Sequence, residues 1–362
     1  MQTSFTRALD LRHPIVQAPM AGANATPPEL VAAVSEHGAL GFVGAAYMSP
    51  DEIRSTCRDI KSKTDRPFGV NLFVPAPLPA IPSADTRARG LVAAYHAELG
   101  IPAPAPPVAP KLNFDEQLDA ALNSGARVFS TTFGALSPDR VAMLKARSIF
   151  VIGTATTVAE AVELERTGVD AIVAQGNEAG GHRGTFAAPF EESMIGGLAL
   201  VPQIVDAVRV PVLASGGIMD GRGIVASLAL GAAAVQMGTA FLACDECGVL
   251  PAYKDAIIDA DAGQTRVTYA FSGRAARGIV NRFMRETEAA GDDAILPFPY
   301  QNDLTRAMRT AAAKQGRIEF LSLWAGQGAH LARRQSAAEL IRRLASEMDV
   351  ALDALDRQRS DQ

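Results

Sequence analysis

Residues 170–184 read D-A-I-V-A-Q-G-N-E-A-G-G-H-R-G. The apolar run Ile172-Val173-Ala174 has the length and β-branched content of a buried strand, and it gives way to a turn carrying Gly180, Gly181 and Gly184 around one imidazole. Strand passes into loop there. Glycines in such a turn let backbone N–H groups approach an anionic ligand, because no Cβ intervenes and positive φ costs little. Gln175, at the strand end, carries an amide that both donates and accepts. His182 is the only side chain of the stretch that titrates near neutral pH, which makes it the candidate for moving a proton. The plainer alternative is a glycine turn with a hydrogen-bonded histidine.

Outward from this stretch the same strand-then-helix unit recurs. Toward the N-terminus, strands begin at Ile15, Leu40, Phe68, Arg127 and Ile149, and toward the C-terminus at Pro211 and Ala233. Helical segments lie between them: Ser49-Pro50-Asp51-Glu52, for example, places an N-cap, a proline at the first helical position and acids at the positive end of the dipole. Alternating βα units require a mostly parallel sheet covered by helices, and eight units are the number that closes a barrel. The expectation is an α/β fold, a (β/α)8 TIM barrel; an open doubly wound sheet is the competitor, since strand count alone does not prove closure. Residues 75–112 interrupt the alternation with prolines at 75, 77, 79, 82, 102, 104, 106, 107 and 110. Such a Pro-rich insertion reads as an arm, with helical material only from Thr86 to Leu99. The expected organisation is a barrel over residues 1–246 and a helix-rich C-terminal extension, 247–362, packed against it.

The composition narrows the function classes. With 48% hydrophobic and 20% charged residues the chain can bury a sizeable core, and its net charge of −5 offers no long-range attraction to nucleic acid or anionic lipid. Cys57, Cys244 and Cys247 are too few for a disulfide framework, and the C-x-x-C pair lacks the second pair of a zinc site. Residues 1–11 lack the basic flank and apolar core of a signal peptide, so a cytoplasmic protein without a metal is expected. Residues 223–243 carry no charge, yet Gly231 divides them into a helical half and a strand-like half, which reads as a buried βα element rather than a membrane span.

Polar and glycine residues collect at the carboxyl ends of the strands, where a βα barrel binds its ligand. They are Met20-Ala21-Gly22, Asn71, Thr131-Thr132, Gln175 to His182, Ser215-Gly216-Gly217 and Gln236-Met237-Gly238-Thr239. The last two clusters sit where barrels of this kind cradle a phosphate.

Several blocks taken together resemble the class I nitronate monooxygenases: Q-A-P-M-A-G at 17–22, G-V-N-L-F at 69–73, A-Q-G-N-E-A-G-G-H-R-G at 174–184, S-G-G-I-M-D-G-R-G at 215–223, Q-M-G-T-A-F-L-A at 236–243, F-S-G-R-A-A-R-G at 271–278 and L-W-A-G-Q-G at 323–328. The resemblance implies a TIM barrel holding non-covalent FMN and oxidising alkyl nitronates, and nitroalkanes, with O2 to a carbonyl compound and nitrite. It implies a monomer or homodimer. It also implies that Ala18, Met20, Asn71, Gln175, Gln236 and Met237 border the flavin and its ribityl chain, that Gly180, Gly181, Gly217, Gly238 and Thr239 hold the phosphate, and that His182 is catalytic. Many relatives carry a second histidine where this chain has Thr132, and Tyr300 and Lys314 match a family stretch near the substrate. Trp324, the single tryptophan, reads as core or cavity wall. A flavin-dependent NAD(P)H:quinone or enoyl reductase shares the glycine motifs, and a flavin-free phosphate-binding barrel would need the same cradle.

Overall fold

The computed structural model describes residues 2–80 and 85–360. Eleven strands run in chain order: β1 (Ile15–Gln17), β2 (Gly41–Gly44), β3 (Phe68–Phe73), β4 (Val128–Thr132), β5 (Phe150–Ala155), β6 (Ala171–Gln175), β7 (Gly181–His182), β8 (Val212–Ser215), β9 (Ala234–Met237), β10 (Thr265–Thr268) and β11 (Ala276–Ile279). Eight of them form a parallel sheet in the order β1-β9-β8-β6-β5-β4-β3-β2. Its two edges meet at a bridge between Val16 and Leu40, where the Gln17 N–H donates to Leu40 O at 2.9 Å and the Leu40 N–H to Ile15 O at 3.0 Å. The sheet is therefore a (β/α)8 barrel, not an open doubly wound layer.

Each barrel strand is apolar on both faces because both are buried. One set of alternate residues, including Val16, Phe42, Val128, Ile152, Val173, Leu213 and Ala234, fills the barrel. The other, including Ile15, Val43, Val70, Ile172 and Val212, packs under the surrounding helices. Volume is matched locally: a Cβ on Gly69 would lie 2.2 Å from the Phe42 ring. Below the barrel the helix Ser4–Leu9 brings Phe5, Leu9 and Leu11 into the same cluster, with Phe5 edge-on to Phe150 at 5.8 Å. That closes the end opposite the ligand side. The eighth barrel strand stops at Met237, because Gly238 turns (φ −103, ψ −66) into a short helix, Thr239–Leu242.

The arm is more firmly held than its prolines suggest. Its helix, Asp85–Glu98, buries Tyr95 in the main core beside Leu99, while Ala88 and Val92 pack on Leu296, Tyr300 and Leu304. Tyr95 Oη donates to Glu286 at 2.7 Å, and Glu98 accepts from Arg282 at 2.9 Å and Arg317 at 2.5 Å. The arm is clamped to the C-terminal extension. Pro82, one of the insertion's prolines, lies outside the described residues. The extension shares the barrel's main core, and its last helix, Ala337–Ser360, lies so close to the helix Gly221–Ala229 that a Cβ on Gly221 would meet the Glu347 backbone at 2.3 Å. Among the described residues no helix is long and apolar enough to cross a membrane.

One buried acid braces the loop beyond β7. Glu160 is fully buried and accepts from Thr156 N (2.7 Å), Thr156 Oγ1 (2.6 Å), Thr185 Oγ1 (3.0 Å), Phe186 N (2.5 Å) and Ala187 N (3.0 Å). Burial by itself would raise its pKa, but the hydrogen bonds outweigh it and the carboxyl sits below its ordinary range. Its stabilisation is therefore present above the unfolded-state pKa and is lost as pH falls through the depressed native value. Glu160→Gln is expected to cost about 2 kcal/mol or more in urea unfolding at pH 7, with the gap to wild type closing below about pH 4. An unchanged denaturation midpoint at pH 7 would contradict this account.

Candidate active site

A cavity of about 700 Å³ opens at the carboxyl ends of the barrel strands, within the roughly 300–1,000 Å³ typical of cofactor sites. Ala18 to Gly22 after β1, Asn71 on β3, Thr132 on β4, Gln175 on β6, Gly180 to His182, Ser215 to Gly217 after β8, and Gln236 to Thr239 after β9 all line it. So the residues expected at the site converge, with Lys314 among them, and one exception. Tyr300 does not line the cavity; it is buried against Ala88, Val92, Leu296 and Leu304, because the helix Tyr300–Leu304 turns that face toward the arm.

His182 is placed by a feature the sequence reading does not contain. The residues read there as part of a glycine turn form a short strand, β7, which pairs antiparallel with β11 so that Gly181 faces Arg277 and His182 faces Ala276. β10 pairs with β11 on its other side. This small sheet carries the F-S-G-R block to the imidazole: Ser272 Oγ lies 2.8 Å from His182 Nε2. The Ser272 hydroxyl also lies 3.1 Å from Arg274 O and accepts from Arg274 N at 3.3 Å. Around the imidazole stand Trp324 at 5.5 Å, Phe133 at 5.8 Å, Phe298 at 6.1 Å and Phe73 at 6.5 Å between ring centroids. Phe133 has φ +73, a left-handed conformation costing roughly 1–3 kcal/mol, and the Arg274 guanidinium sits over its ring at 3.8 Å. Burial, then the charges of Arg274 and Arg309, push the His182 pKa down to about 3. The imidazole is neutral at physiological pH.

The amide side chains divide their work. Gln175 donates to His182 O at 3.0 Å and accepts from Gly184 N at 2.7 Å, so it ties the loop to the strand end as well as facing the cavity. Asn71 donates to Ser130 Oγ at 2.9 Å and Thr132 Oγ1 at 3.3 Å, which leaves its carbonyl oxygen as an acceptor. Arg183 turns away from the cavity and binds the carbonyls of Gln175, Thr156 and Ser193, with Glu160 and Glu178 balancing its charge.

Elsewhere in the lining the glycines leave backbone uncovered. Gly216 and Gly217 have φ +112 and +71, and a Cβ on Gly180 would lie 2.5 Å from Gly326 N. Gly326 N in turn donates to Thr239 Oγ1 at 2.9 Å, so the L-W-A-G-Q-G block packs directly on the cradle. A glycine cradle, an apolar run from Ala18 to Gly22, and amides from Asn71, Gln175 and Gln236 suit a phosphorylated cofactor with a flat, polar-edged ring. Tyr47, Arg306, Arg309 and Ser272 are site residues that sequence reading missed; Ser272 had a signal in the F-S-G-R block, and Arg306 and Arg309 had one in the stretch between Tyr300 and Lys314, while Tyr47 had none.

Comparison with known proteins agrees with this geometry. The family described as nitronate monooxygenase matches residues 3–347. A probable nitronate monooxygenase of Staphylococcus saprophyticus is 43% identical over 343 residues, covering 94% of this chain and 96% of that one. Among solved structures, a nitroalkane oxidase from Streptomyces ansochromogenes superposes with a TM-score of 0.90 at 40% identity, covering 97% of this chain and 99% of its own. FabK from Thermotoga maritima is also similar, with a TM-score of 0.79 at 30% identity and 99% coverage of both chains. Spanned almost end to end by these matches, the chain belongs to the nitronate monooxygenase family, flavin-dependent oxidoreductases that act on nitronates and nitroalkanes.

Proposed function

We propose that the protein binds FMN non-covalently and uses O2 to oxidise alkyl nitronates to a carbonyl compound and nitrite, with His182 facing the substrate. The observation that carries this reading is an imidazole held by Ser272 in the lining of the same cavity as a glycine cradle. In this reading Gly180, Gly181, Gly217, Gly238 and Thr239 hold the cofactor phosphate, while Ala18, Met20, Asn71, Gln175, Gln236 and Met237 border its ring and ribityl chain. Bound flavin supplies the electron transfer between substrate and oxygen. The protein's part is to bind, orient and manage protons.

In this reading the single Ser272 hydroxyl hydrogen serves the Arg274 carbonyl, and Nε2 carries the ring proton and donates it to Ser272 Oγ. Nδ1 then keeps its lone pair. An imidazole whose cation is this strongly disfavoured is a weak base, since proton-transfer efficiency follows basicity. A nitronate arrives already deprotonated and needs no base; a neutral nitroalkane must lose its α-proton to Nδ1 first. The site therefore favours the anion over the neutral acid. Thr132 adds a hydroxyl and no charge on the neighbouring wall. Tyr300, implied near the substrate by the resemblance, has no such part from its buried position.

FMN-loaded protein mixed with ethylnitronate in air is expected to release nitrite and recycle its flavin, whereas NADH leaves the flavin oxidised; rapid bleaching by NADH alone would point to a reductase. His182→Asn is expected to lower turnover of neutral nitroethane by about 10²–10⁴-fold and that of preformed ethylnitronate far less; equal losses would remove the proton-abstraction role. Ser272→Ala, which deprives Nε2 of its acceptor, is expected to cost roughly tenfold on nitroethane, about one hydrogen bond's worth, with ethylnitronate little changed. Because His182 protonates only near pH 3, nitronate turnover should show no histidine inflection between pH 5 and 8, and one near pH 6.5 would contradict the assignment.

A further inference from the structure

Two charged groups in the cavity lining have no carboxylate partner among the described residues, Arg309 and Lys314, and only Arg309 is drawn out of bulk water. Among the side chains lining the cavity there are three cations, Arg306, Arg309 and Lys314, and no carboxylate among the described residues. The three are not equivalent. Arg306 is exposed and pairs with Asp303 at 3.5 Å, and Lys314 is exposed to water. Arg309 points inward from the helix Arg306–Gln315. Its Nη2 donates to Asn302 O at 2.9 Å and to Asn302 Oδ1 at 2.8 Å, both neutral acceptors. Its Nε is buried without any partner, and Nη1 has none among the described residues.

Arg309 is half-buried, with Nε shut off from water and its remaining edge facing the cavity, so an anion that displaces the water there meets a guanidinium with no carboxylate competing for it. The Asn302 contacts hold the group in one orientation, which cuts the entropy lost when an anion docks. Two anions are expected in this cavity under the reading above. The cofactor phosphate has the glycine cradle formed by the ends of β6, β8 and β9. Arg309 belongs to a different element, the helix Arg306–Gln315, and is near enough to His182 for its charge to disfavour the imidazolium. The remaining anion is the substrate. The neutral imidazole, Thr132 and Asn71 supply no positive charge, and Lys314, the other unpaired cation of the lining, is exposed and has no hydrogen bond that would fix its direction as Asn302 fixes that of Arg309.

We propose that Arg309 is the anion-binding residue of the site, donating charge-assisted hydrogen bonds to the oxygens of the substrate's nitronate group. The proposal rests on the reading of this cavity as the nitronate site. It also gives Asn302 a positioning role, as the acceptor that aims the guanidinium. The contact explains how a site without a charged histidine holds an anion, and why its affinity does not depend on protonating His182.

The test uses nitrate, a planar oxyanion of nitronate-like shape, as the probe. Calorimetric titration of the FMN-loaded protein at fixed ionic strength should give saturable binding to wild type, weakened at least tenfold in Arg309→Gln and less in Arg309→Lys. The KM for ethylnitronate should rise by a similar factor in the same order, while that for uncharged nitroethane moves less than threefold. Nitrate binding and ethylnitronate KM both unchanged in Arg309→Gln would overturn the proposal, as would equal KM increases for charged and uncharged substrates. Should Arg309→Gln fail to melt cooperatively, Arg309→Lys carries the same comparison, because it keeps the charge but loses the paired contacts to Asn302. If wild type oxidises no nitronate yet binds nitrate through Arg309, the anion site stands and the functional reading falls.

Discussion

The pairing of Gly181 and His182 with β11 is the constraint on which the site depends. It joins a loop at the mouth of the barrel to the extension that follows it, and in doing so puts Ser272 on one ring nitrogen of the imidazole. A loop histidine held only by its own turn would sample many orientations. Held by a ladder, a hydroxyl and four aromatic rings, it has one. The short sheet in turn needs the loop beyond it anchored, which is the work of Glu160 below and Arg183 beside it.

Electrostatics sorts the buried charges into two kinds. Arg183 and Glu160 sit near one another, each saturated with hydrogen bonds, and serve to hold backbone. Arg309 and Arg274 are bound by neutral acceptors only, Asn302 and the Thr185 carbonyl, and both press on the imidazole. Positive charge on the walls together with a neutral base suits a ligand that enters as an anion. Burial first, and then the charges of the two arginines, make the imidazole reluctant to take up a proton, which under the proposal for Arg309 tilts the site toward an ionised ligand.

The arm and the extension form one structural unit beside the mouth. Glu98 between Arg282 and Arg317, and Tyr95 on Glu286, fasten the arm helix to the segments that present Arg306, Arg309 and Lys314 to the cavity. The described part of the proline-rich insertion thus braces the cationic wall and contributes no residue to the cavity lining. Its prolines keep the flanking chain out of the sheet, and the short helix between them provides the apolar face that packs.

Much of this was legible in the residues. Eight apolar runs alternating with helical segments, six of them ending in polar or glycine residues, determined a parallel βα fold and the strand ends that bind ligand, because period and turn chemistry are local properties, while closure into a barrel was decided by the Val16–Leu40 bridge. His182 and the glycine cradle followed from the same local logic. What the residues could not disclose were contacts between parts of the chain distant in sequence: β7 against β11, Ser272 on His182, Tyr300 turned into the arm, and Arg309 left without a counterion. A serine, a tyrosine or an arginine on a polar helix reads the same whether it meets water, core or ligand. Only the packing of the extension on the barrel, a long-range outcome of burying shared apolar surface, decided which of them face the site.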